Sequence, residues 1–271
     1  MSYQGYTGVM TSYCSLMKNP TVLEIGVDKG QTALPLIHNL TQLARPFKWV
    51  GVDVRMDMSL FEQLFHMIGI NIYEMPGPMA GNQSVYHPFT PFAHEWNVGY
   101  LHQNSLEAVP DLVQKGWKFD LILIDGDHNY ATVKEELNYM VDLSYPTSLI
   151  FIDDYSSRWA DHDLYYKDRD SHSSNDKLAR PESIPGKVGV KQAVDDWISE
   201  NPDWECCPLV DCAFVKRKEN GVLLKMEERF TRDIELHFRP PDFALDRLVP
   251  HAADVLRKNP DGVLAIPPID R

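Results

Sequence analysis

The sequence predicts an α/β fold: a doubly wound, mostly parallel sheet of seven strands with helices on both faces, long lid loops and a C-terminal arm. Two observations carry this expectation. Apolar runs alternate with helical patterns along the first two thirds of the chain. The run Leu121-Ile122-Leu123-Ile124 is apolar without alternation, as a parallel strand buried on both faces requires. A length of 271 residues fits one large domain with appendages, and an apolar share of 44% is ample for its core.

Taken in order, strands are predicted over 21–25, 48–52, 101–103, 121–124 and 148–152. Helices are predicted over 32–43, 59–67, 106–116 and 131–143, and a further one over 190–201 precedes a final strand pair around 204–216 and 222–226. Two stretches are too long for ordinary connections. Residues 74–97 carry four prolines and many aromatics, and 156–188 is rich in Asp, His, Ser, Arg and Tyr. Long loops in compact α/β domains are usually lids or binding loops. The expected organisation is therefore a domain over 1–228, with 156–188 as a lid and acceptor-binding insertion, and an arm over 229–271 with one short helix near 244–258. Such an arm packs on its own domain or on a neighbouring subunit, so a homo-oligomer is expected.

A net charge of −13 argues against nucleic acid as the main partner, because nothing would neutralise phosphates over a broad surface. No stretch approaches the roughly 18 apolar residues needed to span a bilayer. The start, MSYQGYTGVMTSYC, has no basic region before an apolar one, so no signal peptide is expected. Cys14, Cys206, Cys207 and Cys212 form no convincing metal or disulfide pattern, which suits reduced thiols in a cytoplasmic protein.

In doubly wound sheets, ligands bind beyond the carboxyl ends of the strands. The first strand runs into LEIGVDKGQT, where Glu24, Gly26 and Gly30 allow a tight turn and a helix start with free N–H groups. A plain strand–turn–helix would use the same residues. The second strand ends on Asp53 in WVGVDVR, a carboxylate placed to accept hydrogen bonds from both hydroxyls of a ribose. Asn104 and Ser105 follow the third strand and suit an adenine edge or, nearly as well, a helix cap. Asp125 closes the fourth strand and Asp153-Asp154 the fifth, in LIFIDDY. If those strands are neighbours, about 4.8 Å apart, three carboxylates converge, which is unfavourable without a cation. A hard divalent ion such as Mg2+ resolves the repulsion, and turn aspartates facing water are the alternative. His128, three residues past Asp125, is suited to take a proton near neutral pH, with Asp127 to orient it. A polar turn in which Asp127 or Asn129 caps the next helix competes with that reading.

The glycine spacing departs from GxGxxG and resembles the ExGxxxG turn of class I S-adenosylmethionine-dependent methyltransferases. IDGDHNYATVKEEL, then IFIDDY, then GVKQAVDDWISENP resemble the metal-dependent small-molecule O-methyltransferases. The nearest likeness is the branch of macrolide-sugar O-methyltransferases and cephalosporin hydroxylase-like proteins, over about 21–216. The resemblance implies a Rossmann-like class I domain that moves a methyl group from S-adenosylmethionine to a hydroxyl of a small polar acceptor of sugar or natural-product type. It implies cofactor residues Glu24, Gly26, Asp53 and Ser105, a divalent-metal site at Asp125, Asp153 and Asp154, and His128 as general base. Gly30, Asn104 and Asp125 complete the expected cofactor pocket, and Asp125 and His128 the catalytic pair. Relatives carry Glu-Asp or Asp-Asn where this chain has Asp153-Asp154. A nicotinamide-dependent reductase on the same sheet and a diverged, non-catalytic binding protein are the two alternatives; the ExGxxxG spacing weighs against the first.

Overall fold

A computed structural model of the protein describes residues 3–43, 46–55, 72–74, 96–168 and 182–220. The expected helix over 59–67, strand over 222–226, most of the 74–97 loop and the arm with its short helix lie outside them. The described elements are α1 (Thr7–Cys14), β1 (Thr21–Ile25), α2 (Ala33–Gln42), β2 (Phe47–Val52), β3 (Ile72–Glu74) and β4 (Trp96–Leu101). They continue with α3 (Ser105–Gln114), β5 (Phe119–Ile124), α4 (Tyr130–Leu143), β6 (Ser144–Ile152), α5 (Gly189–Glu200), β7 (Trp204–Pro208) and β8 (Ala213–Arg217). The sheet order is β3-β4-β2-β1-β5-β6-β8-β7. All neighbours through β6 are parallel, whereas β8 is antiparallel to both β6 and β7. Five expected strands correspond to β1, β2, β4, β5 and β6, the stretch 204–216 supplies both β7 and β8, and a short strand that was not expected, Ile72–Glu74, stands at the edge.

Alternation along the central strands divides the core into two layers. Val22, Leu121, Leu123, Leu149 and Phe151 face α1 and α2, packing on Met10, Leu36, Ile37 and Leu40. Leu23, Ile25, Ile122, Ile124, Ile150 and Ile152 face the other way, onto Val109 and Leu112 of α3, Leu137 and Met140 of α4, and Val194 and Trp197 of α5. A sheet covered on both faces has apolar side chains in both phases of its period, and this explains the unbroken apolar run of β5.

Three expectations need correction. The third strand, expected at 101–103, is β4 and begins earlier, at Trp96; past Leu101 the bonds to β2 continue, Asp53 N to Leu101 O and Gln103 N to Asp53 O, both at 3.1 Å. The stretch 204–216, expected as one strand of a final pair, is itself a hairpin of β7 and β8, turning where Asp211 takes φ +66. Helix α1 was not anticipated; it carries Gly8 and shows little periodicity, and the burial of Val9, Met10, Tyr13 and Cys14 holds it in place. No helix among the described residues is long and apolar enough to cross a membrane.

Candidate active site

Register sets the site. Ile25 pairs with both Val52 and Ile124, and Ile124 with Ile152. The residues that follow therefore form a row: Gly26, Asp53, Asp125 and Asp153. The ladder extends into that row, since Gly26 N bonds Val52 O at 2.9 Å, Asp125 N bonds Ile25 O at 2.8 Å and Asp153 N bonds Ile124 O at 3.0 Å. A cavity of about 440 Å3 opens above it, lined by Glu24, Gly26, Asp53, Asn104, Ser105, Asp125 and His128 among others. Gly30 shapes the turn beneath the rim at φ +71.

Asp53 does more than the sequence suggests. Its Oδ2 accepts the backbone N–H groups of Val27 and Asp28, both at 2.7 Å, and its Oδ1 that of Arg55 at 2.6 Å. A carboxylate has about four acceptor positions. Three are taken, which leaves room for one ribose hydroxyl where two were expected. Asn104 is a helix cap, its Oδ1 accepting from Leu106 N at 2.8 Å. Asn129 caps α4 in the same way, from Thr132 N at 2.8 Å.

The acids are crowded. Burial first, then the charges of Asp153, Asp154 and Glu24, push the Asp125 carboxyl well above its usual range, and Asp125 shares a hydrogen bond with Asp153. Burial raises Glu24 to about 8, against the hydrogen bond that Trp49 Nε1 donates at 3.1 Å. Burial also lifts Asp127 to about 6, offset in part by the Tyr166 backbone N–H and by His128. Asp154 is the exception. Burial pushes it up, but hydrogen bonds from His128 and Ser157 outweigh that and hold it below its ordinary value. His128 Nδ1 lies 2.9 Å from Asp154 Oδ2, and its Nε2 lies 3.7 Å from Asp125 Oδ1. Asp154 stands at φ +57, in the left-handed region that favours glycine, which aims its side chain back at the histidine.

An all-carboxylate donor set suits a hard divalent cation. Among the described residues, however, no three His, Cys, Asp or Glu side chains stand together as a metal cage. Asp125 and Asp153 face each other, whereas Asp154, expected as a ligand, is engaged by His128 and Ser157.

Three contributors escaped sequence reasoning. Tyr166 lines the cavity, Trp159 stacks on His128 with ring centres 6.5 Å apart, and Asp163 bonds the first amide of α4. All lie in 156–188, where charge and aromatic content gave no period and no spacing to single them out.

Residues 23–155, just under half of the chain, match the family model Methyltransf_24, described as "Methyltransferase domain". That stretch, from within β1 to just past β6, is similar to a methyltransferase domain and carries the strand ends that build the site. A comparison with curated proteins finds no match. Among solved structures, the chain is similar to the O-methyltransferase from Bacillus cereus in complex with SAH (14% identity, 78% of each chain, TM-score 0.44). It is also similar to TomG from Streptomyces achromogenes, an O-methyltransferase of tomaymycin synthesis in complex with SAM (15%, 78% of this chain and 77% of that one, TM-score 0.41). A third is MycE of the mycinamycin pathway in complex with Mg, SAH and mycinamycin VI (14%, 79% and 49%, TM-score 0.45). At such TM-scores the likeness adds nothing to what this chain's own residues show.

Proposed function

We propose that the protein transfers the methyl group of S-adenosylmethionine to a hydroxyl of a small polar acceptor, with His128 as general base. One observation carries this reading: the His128 ring stands in the cavity wall with Nδ1 on an Asp154 carboxylate held ionised. With Nδ1–H donated to Asp154, the lone pair of Nε2 is left to accept a proton. The acceptor hydroxyl gives its proton to Nε2 as its oxygen attacks the methyl carbon. The C–O bond forms, the S–C bond breaks, and S-adenosylhomocysteine leaves. Such a displacement needs chiefly alignment, which a row of strand ends provides.

The turn 26–30 and the remaining acceptor position of Asp53 suit the methionine and ribose moieties, and Ser105 suits the adenine. Crowded acids at the cavity floor favour cationic ligands, and the sulfonium is one. A divalent cation such as Mg2+ is another; Asp125 and Asp153 would hold it, while Asp154 already accepts from His128 and Ser157, one on each oxygen. Bound there, the ion would act as a Lewis acid that lowers the pKa of the acceptor hydroxyl. An acceptor of sugar or natural-product type fits the polar and aromatic composition of 156–188 and 74–97.

A nicotinamide-dependent reductase is the reading to test against. Tyr130 and Lys134 have the Tyr-x-x-x-Lys spacing such enzymes use. Here Tyr130 OH donates to Asp196 at 2.9 Å and Lys134 Nζ to Glu200 at 2.5 Å, both on α5, and neither residue lines the cavity. Thermal shift with S-adenosylmethionine, S-adenosylhomocysteine and NADH separates the two. Stabilisation by the first two alone is expected; stabilisation by NADH alone would overturn the proposal.

A further inference from the structure

We infer that Asp163 is a positioning residue that seats His128 in the cavity, acting through the strap 163–166. The strap lies antiparallel to 127–130 and is tied to it at three points. Leu164 N donates to His128 O at 2.9 Å, in an antiparallel bridge. The Tyr166 backbone N–H bonds the Asp127 carboxylate. Tyr130 N donates to Asp163 Oδ1 at 2.8 Å.

The same Asp163 oxygen also accepts from Gly189 N at 2.8 Å. One side chain thus caps the first turns of both α4 and α5. The fit there is close: Gly189 has φ +78, and a Cβ on it would lie 2.3 Å from Ala160 O. Two further bonds, Val190 N to Trp159 O at 3.1 Å and Lys191 N to Ala160 O at 3.0 Å, fasten the chain leading into the strap to α5.

His128 needs this support because it belongs to no regular element. Strand β5 ends at Ile124 and α4 begins at Tyr130, so neither a sheet ladder nor a helix fixes its backbone. The strap supplies that ladder, and the rings of Trp159 and Tyr166, centred 6.5 and 6.1 Å from the imidazole, bound its rotation. Without Asp163 the strap loses its tie to both helix ends, and the Leu164–His128 bridge then fastens the histidine to a segment that is itself less firmly held. A group misplaced by 1 Å can cost a reaction about 100-fold.

The inference deepens the general-base reading, yet its test reads position directly. In protein carrying 15N-labelled histidine, the His128 ring signals are identified by their loss in His128→Gln. Asp163→Ala is expected to shift or broaden those signals, while calorimetry shows unchanged affinity for S-adenosylhomocysteine. Asp163→Asn, whose amide oxygen can still accept both N–H groups, is expected to leave them in place. Where the alanine variant does not fold, Asp163→Ser, too short to span both helix ends, gives the same readout. His128 signals unmoved by Asp163→Ala or Asp163→Ser would overturn the inference, as would an asparagine variant perturbed as much as alanine. Activity of His128→Gln is read separately: full activity there would remove the base while leaving the positional claim to the spectra.

Discussion

Gly26 stands at φ +82 with the Asp125 carbonyl where a side chain would be: a Cβ would lie 2.0 Å from that oxygen. Gly26→Ala should therefore both strain the turn and push back the strand end that carries the acids. A loss of more than about 2 kcal/mol is expected in urea unfolding. Asp53→Ala removes the acceptor for three turn amides along with the position left for ribose. Calorimetry should show S-adenosylhomocysteine binding weaker by about 1–3 kcal/mol; unchanged affinity would rule Asp53 out of the pocket. Glu136 gives a pH signature. It is fully buried in α4, with the Ser105 hydroxyl alongside but no well-formed bond to either oxygen, and burial raises it to about 8. A carboxyl raised in the folded state favours folding while it is neutral. Its contribution is fully present below the unfolded value of 4.5 and is lost as pH rises toward 8. Glu136→Gln, neutral throughout, should flatten the fall in Tm over that range; an equally steep fall would show that Glu136 is not its source.

Among the elements, strands were more legible than the segments around them. β5 and β6 announce themselves because both faces are covered, so every position can be apolar, and their closing acids stand out against that background. β4 was misplaced because Asn97, Gly99 and Tyr100 interrupt its pattern; its registers to β2 and β3 define it. The acid row and His128 were readable from strand ends, but the partnership of His128 with Asp154 rather than Asp127 was not. It depends on the left-handed turn at Asp154, at a non-glycine residue that gives no signal of it. The segment 156–188, expected as a mobile lid, is bonded across its described portion to α4 and α5. The amides of Leu164, Val190 and Lys191 should thus exchange slowly in the free protein. Fast exchange there would return the strap to the role of a lid.

For the molecule as a whole, the sheet brings to one end a glycine turn, a histidine and a set of acids whose burial and charges push Asp125 and Glu24 up. If a divalent cation belongs among those acids, EDTA should abolish turnover and added Mg2+ restore it, whereas S-adenosylhomocysteine should still bind. Turnover untouched by EDTA would leave His128 as the sole activator of the hydroxyl. The central claim is methyl transfer with His128 as the base, and it is tested most directly with methyl-labelled S-adenosylmethionine and a panel of polyhydroxylated small molecules. Acceptor-dependent release of S-adenosylhomocysteine, with label in an ether product, is expected from the wild type. In His128→Ala the rate should fall about 10²- to 10⁴-fold, the usual contribution of a positioned base, with cofactor binding retained. A His128→Ala variant as active as the wild type would contradict the account.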